Sequence, residues 1–334
     1  MLGIKRREFI TLLGGAAAWP LAARAQQGGR MRRIGVLLSA AATEVEYQGY
    51  LAAFVQEMQR LGWREGQNLR LDVRWNAGDA VLSHTYAAEL IRLMPNVILA
   101  DSTVNLSAIR QATGTVPVVF VQVADPVAQG FVPNIRQPGG NLTGFSFFEF
   151  SLGGKWLDLL KEVAPSLERI AIFFNPDTAP QFKFFMQAIE AAASSRRVKA
   201  IAAPIRASSD IETAIASFAL QPNGGLIVYG DSFTRLHTAL IADLAGRYHL
   251  PSIGADPDFA KNGGLMDYSP AIDILAHFRQ AANYVDRILK GEKPGDLPVQ
   301  GADRYRFISN LKTAKALGIT VPLPLRGLAD EVIE

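Results

Sequence analysis

Arg33-Ile34-Gly35-Val36-Leu37-Leu38-Ser39 is a short apolar run with no polar alternate position between Ile34 and Leu38. A strand with one wet face alternates apolar and polar residues. A strand without that alternation has both faces covered, as in a parallel sheet between two helical layers. The residues that follow supply such layers. Residues 47–61 place Leu51, Phe54, Val55, Met58 and Leu61 at helical spacing, with Gly62 where a helix stops. Residues 68–75 alternate Leu69, Leu71, Val73 and Trp75 with polar neighbours, a strand period. Helices over 83–93 and 103–112 and strands over 97–100 and 117–121 continue the pattern.

After a glycine-rich break the pattern restarts. Helices are expected over 155–163, 181–193, 211–219 and 234–247, and strands over 169–174, 198–202, 225–229 and 252–253. Two successive strand–helix series predict an α/β fold of two doubly wound, Rossmann-like lobes with parallel sheets. A long helix over 272–289, then Gly291 and Gly295, reads as a return to the first lobe, with a third crossing near 297–301. The expected division is 31–144 plus 269–298 for the N-terminal lobe and 145–268 plus 303–334 for the C-terminal lobe. Three hinge crossings would join them. Glycine absorbs large backbone changes, so Gly140, Asn141 and Gly144 in the string Pro138-Gly139-Gly140-Asn141-Leu142-Thr143-Gly144, together with Asp267, are the hinge candidates. The same string matches neither glycine-rich phosphate-binding spacing.

Residues 1–25 read as an export signal of the twin-arginine type: Arg6-Arg7 before Phe9-Ile10, an apolar stretch, then Ala23-Arg24-Ala25 as a small-x-small cleavage site. The expected location is the periplasm, with cleavage near Ala25. The leader carries Lys5, Arg6, Arg7 and Arg24 against Glu8, so of 34 basic and 31 acidic residues the remainder keeps 30 of each. A neutral mature chain has no electrostatic footprint for nucleic acid. The sequence contains no cysteine, which excludes disulfides and thiolate chemistry. With 309 residues left after position 25, core burial can supply the stability instead.

The sequence carries no recognisable catalytic set. His84, His237, His249 and His277 lack metal-ligand spacing, and no G-x-S-x-G elbow occurs. No catalytic residue, metal ligand or cofactor is expected. Polar residues fall instead at the predicted carboxyl ends of strands, where doubly wound sheets bind ligands. The segments are Ser39 onward, Asp101-Ser102-Thr103, Val123-Ala124-Asp125-Pro126, Asn175-Pro176-Asp177-Thr178 and Tyr229-Gly230-Asp231-Ser232. Ser39, Gln48, Ser102, Thr103 and Asp125 are candidate ligand contacts from the first lobe. Asn175, Asp177, Tyr229, Asp231, Asp256 and Tyr268 are those from the second, the tyrosines as stacking surfaces. Each polar one is equally suited to capping a helix.

Several strings resemble the exported solute-binding proteins of ABC importers, in the branch that includes aromatic-amino-acid binders. They include RIGVLL at 33–38, Leu61-Gly62-Trp63, Ala124-Asp125-Pro126-Val127, PGGNLTG at 138–144, Lys155-Trp156-Leu157, Asn175-Pro176-Asp177, YVDRILKG at 284–291, LPVQ at 297–300 and NLKTAKALG at 310–318. The resemblance implies a type I periplasmic-binding fold that closes on a small-molecule solute such as an amino acid or an aromatic or carboxylate compound. It also implies a monomer that delivers the solute to an inner-membrane ABC permease with its cytoplasmic ATPase. Two departures lie near the expected cleft: Gly254 stands where relatives commonly have an aromatic residue, and Asp267-Tyr268-Ser269 replaces a Ser-Tyr-Gly. The alternatives are an exported sensor subunit that presents solute to a receptor, and an exported α/β hydrolase.

Overall fold

In the computed structural model, which describes residues 31–334 except 257 and 303, Ile34, Val36 and Leu38 pack on one face of a sheet and Leu37 on the other. The leader residues Arg6, Arg7, Ala23 and Ala25 lie outside the described residues. The first lobe runs β1 (Arg32–Leu38), α1 (Val45–Arg60), β2 (Leu69–Trp75), α2 (Ala80–Arg92), β3 (Val97–Asp101), α3 (Thr103–Ala112), β4 (Val118–Val123) and β5 (Leu142–Ser146). The strands are parallel in the order β2-β1-β3-β4-β5. Tyr50, Phe54 and Met58 of α1 cover the Ile34 face, and Ala87 and Leu90 of α2 cover the Leu37 face. Each such large apolar side chain withdrawn from water contributes about 1.5–3 kcal/mol. That is why β1 needs no polar position.

The second lobe repeats the plan: α4 (Leu152–Val163), β6 (Arg169–Phe174), α5 (Phe182–Ser195), β7 (Lys199–Pro204), α6 (Ser208–Ala219), β8 (Gly224–Val228), α7 (Ser232–Leu236), α8 (Thr238–Arg247), β9 (Ser252–Gly254) and β10 (Met266–Pro270). Its order β7-β6-β8-β9-β10 mirrors that of the first sheet. The helix expected over 234–247 is two helices broken at His237, whose ring stacks on Phe233 at 4.2 Å and whose Nδ1 lies 2.9 Å from the Phe233 carbonyl.

The chain then returns to the first lobe as α9 (Ile274–Leu289), where Phe278 stacks on Tyr50 at 5.3 Å and the Trp63 indole donates to Asp286 at 2.9 Å. It comes back once more as β11 (Tyr305–Asn310), α10 (Leu311–Ala316), α11 (Leu323–Leu328) and β12 (Glu331–Ile333). Here the second sheet departs from the all-parallel expectation, because β11 runs antiparallel to β10. The reason is topological. β10 ends at the interlobe side and the returning chain starts there, so β11 can only run away from it.

Three segments cross between the lobes. The first follows Ser146, the second follows Pro270 and the third follows Gln300. Ser146 N–H donates to the Gln300 carbonyl at 2.7 Å, and Ala271 N–H donates to the Arg304 carbonyl at 2.9 Å, so the third crossing pairs with both others. The divisions expected after 144 and after 268 fall inside strands: Phe145 and Ser146 complete β5 in the first sheet, and Ser269 and Pro270 complete β10 in the second. The hinge expectation is corrected in the same way. Gly140 and Asn141 sit at the opposite end of β5 from the crossing, with Asn141 donating to the Val116 carbonyl at 2.7 Å. Asp267 is inside β10, opposite Ile308.

Gly144 is no hinge either. At φ 151°, a Cβ there would overlap the Phe120 carbonyl and lie 2.6 Å from the Phe120 nitrogen, so it serves close approach of β5 to β4. Gly144→Ala is expected to lower unfolding free energy by about 3 kcal/mol or more. Urea unfolding of the two proteins checks this; a loss below about 1 kcal/mol would show that β5 can shift away.

Candidate functional site

Parallel strands end together, and in a doubly wound sheet the helices leave to opposite faces on either side of the point where strand order reverses. That point lies between β1 and β3 in the first sheet and between β6 and β8 in the second. Each carries a carboxylate that accepts a backbone N–H from the residue just after the neighbouring strand. Asp101 Oδ2 accepts from Ser39 N–H at 3.1 Å and from the Ser39 hydroxyl at 2.5 Å. Asp231 Oδ2 accepts from Asn175 N–H at 2.9 Å.

The two carboxylates differ in what else they hold. Asp231 caps α7 through Phe233 N–H at 2.8 Å and Thr234 N–H at 3.0 Å, and takes the Thr178 hydroxyl at 2.9 Å. Both of its oxygens are occupied. Asp101 Oδ1 has no hydrogen-bond partner among the described residues. Its side chain is fully buried, which pushes its carboxyl up to about 6, against the hydrogen bonds from Ser39.

A cavity of about 160 Å3 lies between these points, walled by both lobes. The first lobe contributes Ser39, Tyr47, Asp101, Ser102, Thr103, Val104, Gln122 and Ala124. The second contributes Thr178, Gln181, Gly230, Asp231, Arg235, Ala255 and Asp256. Phe147 and Phe148 of the first crossing and Pro270, Ile272 and Ile274 around the second supply apolar wall. Gln122 Nε2, Gln181 Oε1 and Ser269 Oγ, all from lining residues, also lack partners among the described residues. Buried polar atoms are usually satisfied, so this concentration marks a place built to receive polar groups. Backbone strain gathers here too, with left-handed φ at Ser102 (73°), Gln122 (56°) and Asp125 (32°).

The cation lining the cavity is Arg235. Its guanidinium lies 3.3 Å from Glu46 of the first lobe and 3.5 Å from Asp256 of the second. Burial opposes its charge, but the Asp256 and Glu46 carboxylates hold its pKa above the ordinary value. Burial raises the Tyr47 phenol, and the Asp101 charge raises it further, so Tyr47 stays neutral, its oxygen 3.5 Å from the Ser39 hydroxyl that donates to it.

The family model for ABC transporter substrate binding proteins matches residues 33–333. The chain belongs to that family. It is 25% identical over 264 residues to the tyrosine-binding protein of Clostridioides difficile, an alignment covering 79% of this chain and 75% of that protein. A conserved domain protein from Vibrio cholerae superposes with a TM-score of 0.74 at 25% identity, covering 91% of this chain and 100% of that one. An ABC domain from Streptococcus pneumonia, solved in complex with L-Trp, gives 0.72 at 20% identity with the same coverage. Type I periplasmic-binding architecture follows from such neighbours.

In this binding protein, five of the expected contacts line the cleft: Ser39, Ser102, Thr103, Asp231 and Asp256. Six do not. Gln48 is exposed and donates to the Ala42 carbonyl at 2.6 Å. Asp125 accepts from Ala128 and Phe150 N–H at 2.9 and 3.1 Å, fastening the first crossing. Asn175 Oδ1 caps Asp177 N–H at 2.8 Å, and exposed Asp177 pairs with Arg206. Tyr229 is buried against Phe182 and Phe185, where its hydroxyl orients Gln181 at 3.2 Å. Tyr268 stacks on Tyr305 at 5.5 Å. Among residues the sequence reading did not select, Asp101 had a signal, a carboxylate closing a wholly apolar strand. Arg235 and Gln122 had none, since each depends on a contact distant in the chain.

Asp101 links pH to stability. Its folded-state pKa lies above the ordinary 3.8, so its stabilising contribution is complete below about pH 4 and is lost as pH rises through about 6. Relative to Asp101→Asn, the wild-type protein without solute should lose on the order of 3 kcal/mol between pH 4 and 7. Urea unfolding of both across that range measures it; parallel profiles would refute it.

Proposed function

We propose that this protein is the periplasmic receptor of an ABC importer, closing its two lobes on an aromatic amino acid and delivering it to an inner-membrane permease driven by a cytoplasmic ATPase. The observation that carries the reading is the make-up of the interlobe cleft. It combines an uncommitted carboxylate oxygen on Asp101, a guanidinium on Arg235 and an apolar wall of Phe147, Phe148, Ile272 and Ile274. A zwitterion with an aromatic side chain needs one of each. The cavity holds on the order of ten water-sized spheres, comparable with the roughly 12–15 non-hydrogen atoms of such a molecule. The relatives support the same class, since one is a tyrosine-binding protein and another was solved with L-Trp. Export of the twin-arginine type, read from residues 1–25, supports the location.

Closure follows from binding alone. A solute that touches both lobes stabilises the closed arrangement by its differential affinity for it. A micromolar solute has about 8 kcal/mol in total, enough to bias a pair of states separated by a few kcal/mol. The Arg235–Glu46 pair adds a smaller term across the cleft mouth. Both side chains are about half exposed, at 47% and 54%, so its worth is about 0–1 kcal/mol after screening.

Calorimetry of the mature protein against amino acids, sugars and aromatic acids is expected to give micromolar or tighter binding for L-tyrosine, L-tryptophan or L-phenylalanine. Binding of only sugars or only aliphatic amino acids would refute the aromatic assignment. Small-angle scattering should show compaction with saturating solute. Glu46→Gln should weaken affinity by less than about fivefold, and the difference should shrink as salt is raised to about 0.5 M.

A further inference from the structure

We infer that Asp101 is the receptor for a cationic amino group on the solute, so that the cleft selects ammonium-bearing molecules over amine-free analogues of the same shape. The inference deepens the proposed amino-acid reading and rests on it for the rest of the solute. It starts from the paired switch points. Both lobes place a carboxylate where the strand order reverses, and both use it to receive the N–H that follows the adjacent strand. In the second lobe the other oxygen, Oδ1, is taken up by the cap of α7 and by Thr178. In the first lobe the cap of α3 is supplied by Ser102, whose hydroxyl accepts from Asn105 N–H at 3.4 Å. Asp101 is thereby released from capping, and one of its oxygens has no partner among the described residues.

No cationic side chain among the described residues forms an ion pair with Asp101. Arg235, the cation of the cleft, is engaged by Asp256 and Glu46 instead. A carboxylate that is wholly buried, lines a cavity and lacks a counter-charge is costly to keep. A positively charged donor arriving with the solute removes that cost, and the Ser39 hydroxyl and N–H hold the carboxylate in place for it. Asp231 is unsuited to the task because both of its oxygens already hold hydrogen bonds that fasten the second lobe. Asp256, tied to Arg235 at 3.5 Å, is the one rival carboxylate lining the cleft.

The test compares L-tryptophan, indole-3-propionate and tryptamine, with L-isoleucine and ribitol as further probes, by calorimetry on wild type, Asp101→Asn and Asp256→Asn. On wild type, L-tryptophan is expected to bind at least about thirtyfold more tightly than indole-3-propionate, a comparison that needs no variant to fold. Asp101→Asn should weaken L-tryptophan by about thirtyfold or more and leave indole-3-propionate within about threefold. Equal wild-type affinity for the two overturns the inference, as does an amine preference that survives Asp101→Asn but is lost in Asp256→Asn. Failure of every ammonium-bearing probe to bind, or ribitol binding that depends on Asp101, overturns it too. If L-isoleucine binds and depends on Asp101 while L-tryptophan does not bind, the ammonium receptor stands and the aromatic reading falls. If aromatic amino acids bind but Asp101→Asn weakens both indole ligands alike, the reverse holds.

Discussion

Burial of β1 on both faces is the constraint from which the rest of this structure follows. Ile34, Val36 and Leu38 on one side and Leu37 on the other leave no face of the strand for water. Helices must therefore cover both faces of the sheet, and strands joined by crossover helices run parallel. Parallel strands deliver their carboxyl ends to one edge. That edge is the only part of the sheet where side chains are free of the packing requirement. The concentration of unpartnered polar atoms there, on Asp101, Gln122, Gln181 and Ser269, is the complement of the apolar faces below them.

Repeating the plan in a second lobe sets two such edges against each other, and three crossing segments join them. The crossings are tied in a row by backbone hydrogen bonds from Ser146 to Gln300 and from Ala271 to Arg304. Bonds of this kind hold the crossings in register with one another. Fixing the lobes more firmly would take apolar contact across the cleft. The direct side-chain ion pair across its mouth, Glu46 with Arg235, is instead half exposed and weak.

Much of this was legible from local pattern. The apolar run of β1, the helical spacing of α1 and the alternation in β2 each reflect burial on two faces, one stripe or one face. The strand-end rule then located Ser39, Ser102, Thr103 and Asp231. What local pattern could not give was a hydrogen bond's destination. Asn175 and Asp125 have the chemistry of ligand contacts, but their acceptors turn inward to backbone N–H groups within the same turn or crossing, and the exposed Asp177 carboxylate pairs with Arg206. The glycines misled for a related reason. Gly144 looks like freedom to move in the sequence, whereas in the fold it is a place with no room for a Cβ against Phe120. Gly254 is another: a Cβ there would lie 2.5 Å from the Phe259 ring, so Phe259 fills the space a side chain at 254 would take.

The near-symmetry of the two lobes sharpens the meaning of their one chemical difference. Had Asp101 and Asp231 been equally satisfied, both would be explained as devices that pin one strand end to the next, and the cleft would need its specificity from elsewhere. The second lobe spends its carboxylate on structure, because Asp231 is the N-cap of α7, which begins at Ser232. In the first lobe Asp101 ends β3 and α3 starts at Thr103 with Ser102 as its cap, so Asp101 is relieved of that duty. Whether the aspartate or the residue after it caps the helix thus separates a structural carboxylate from an uncommitted one. It does so without changing the strand order, the crossings or the apolar faces on which both lobes are built.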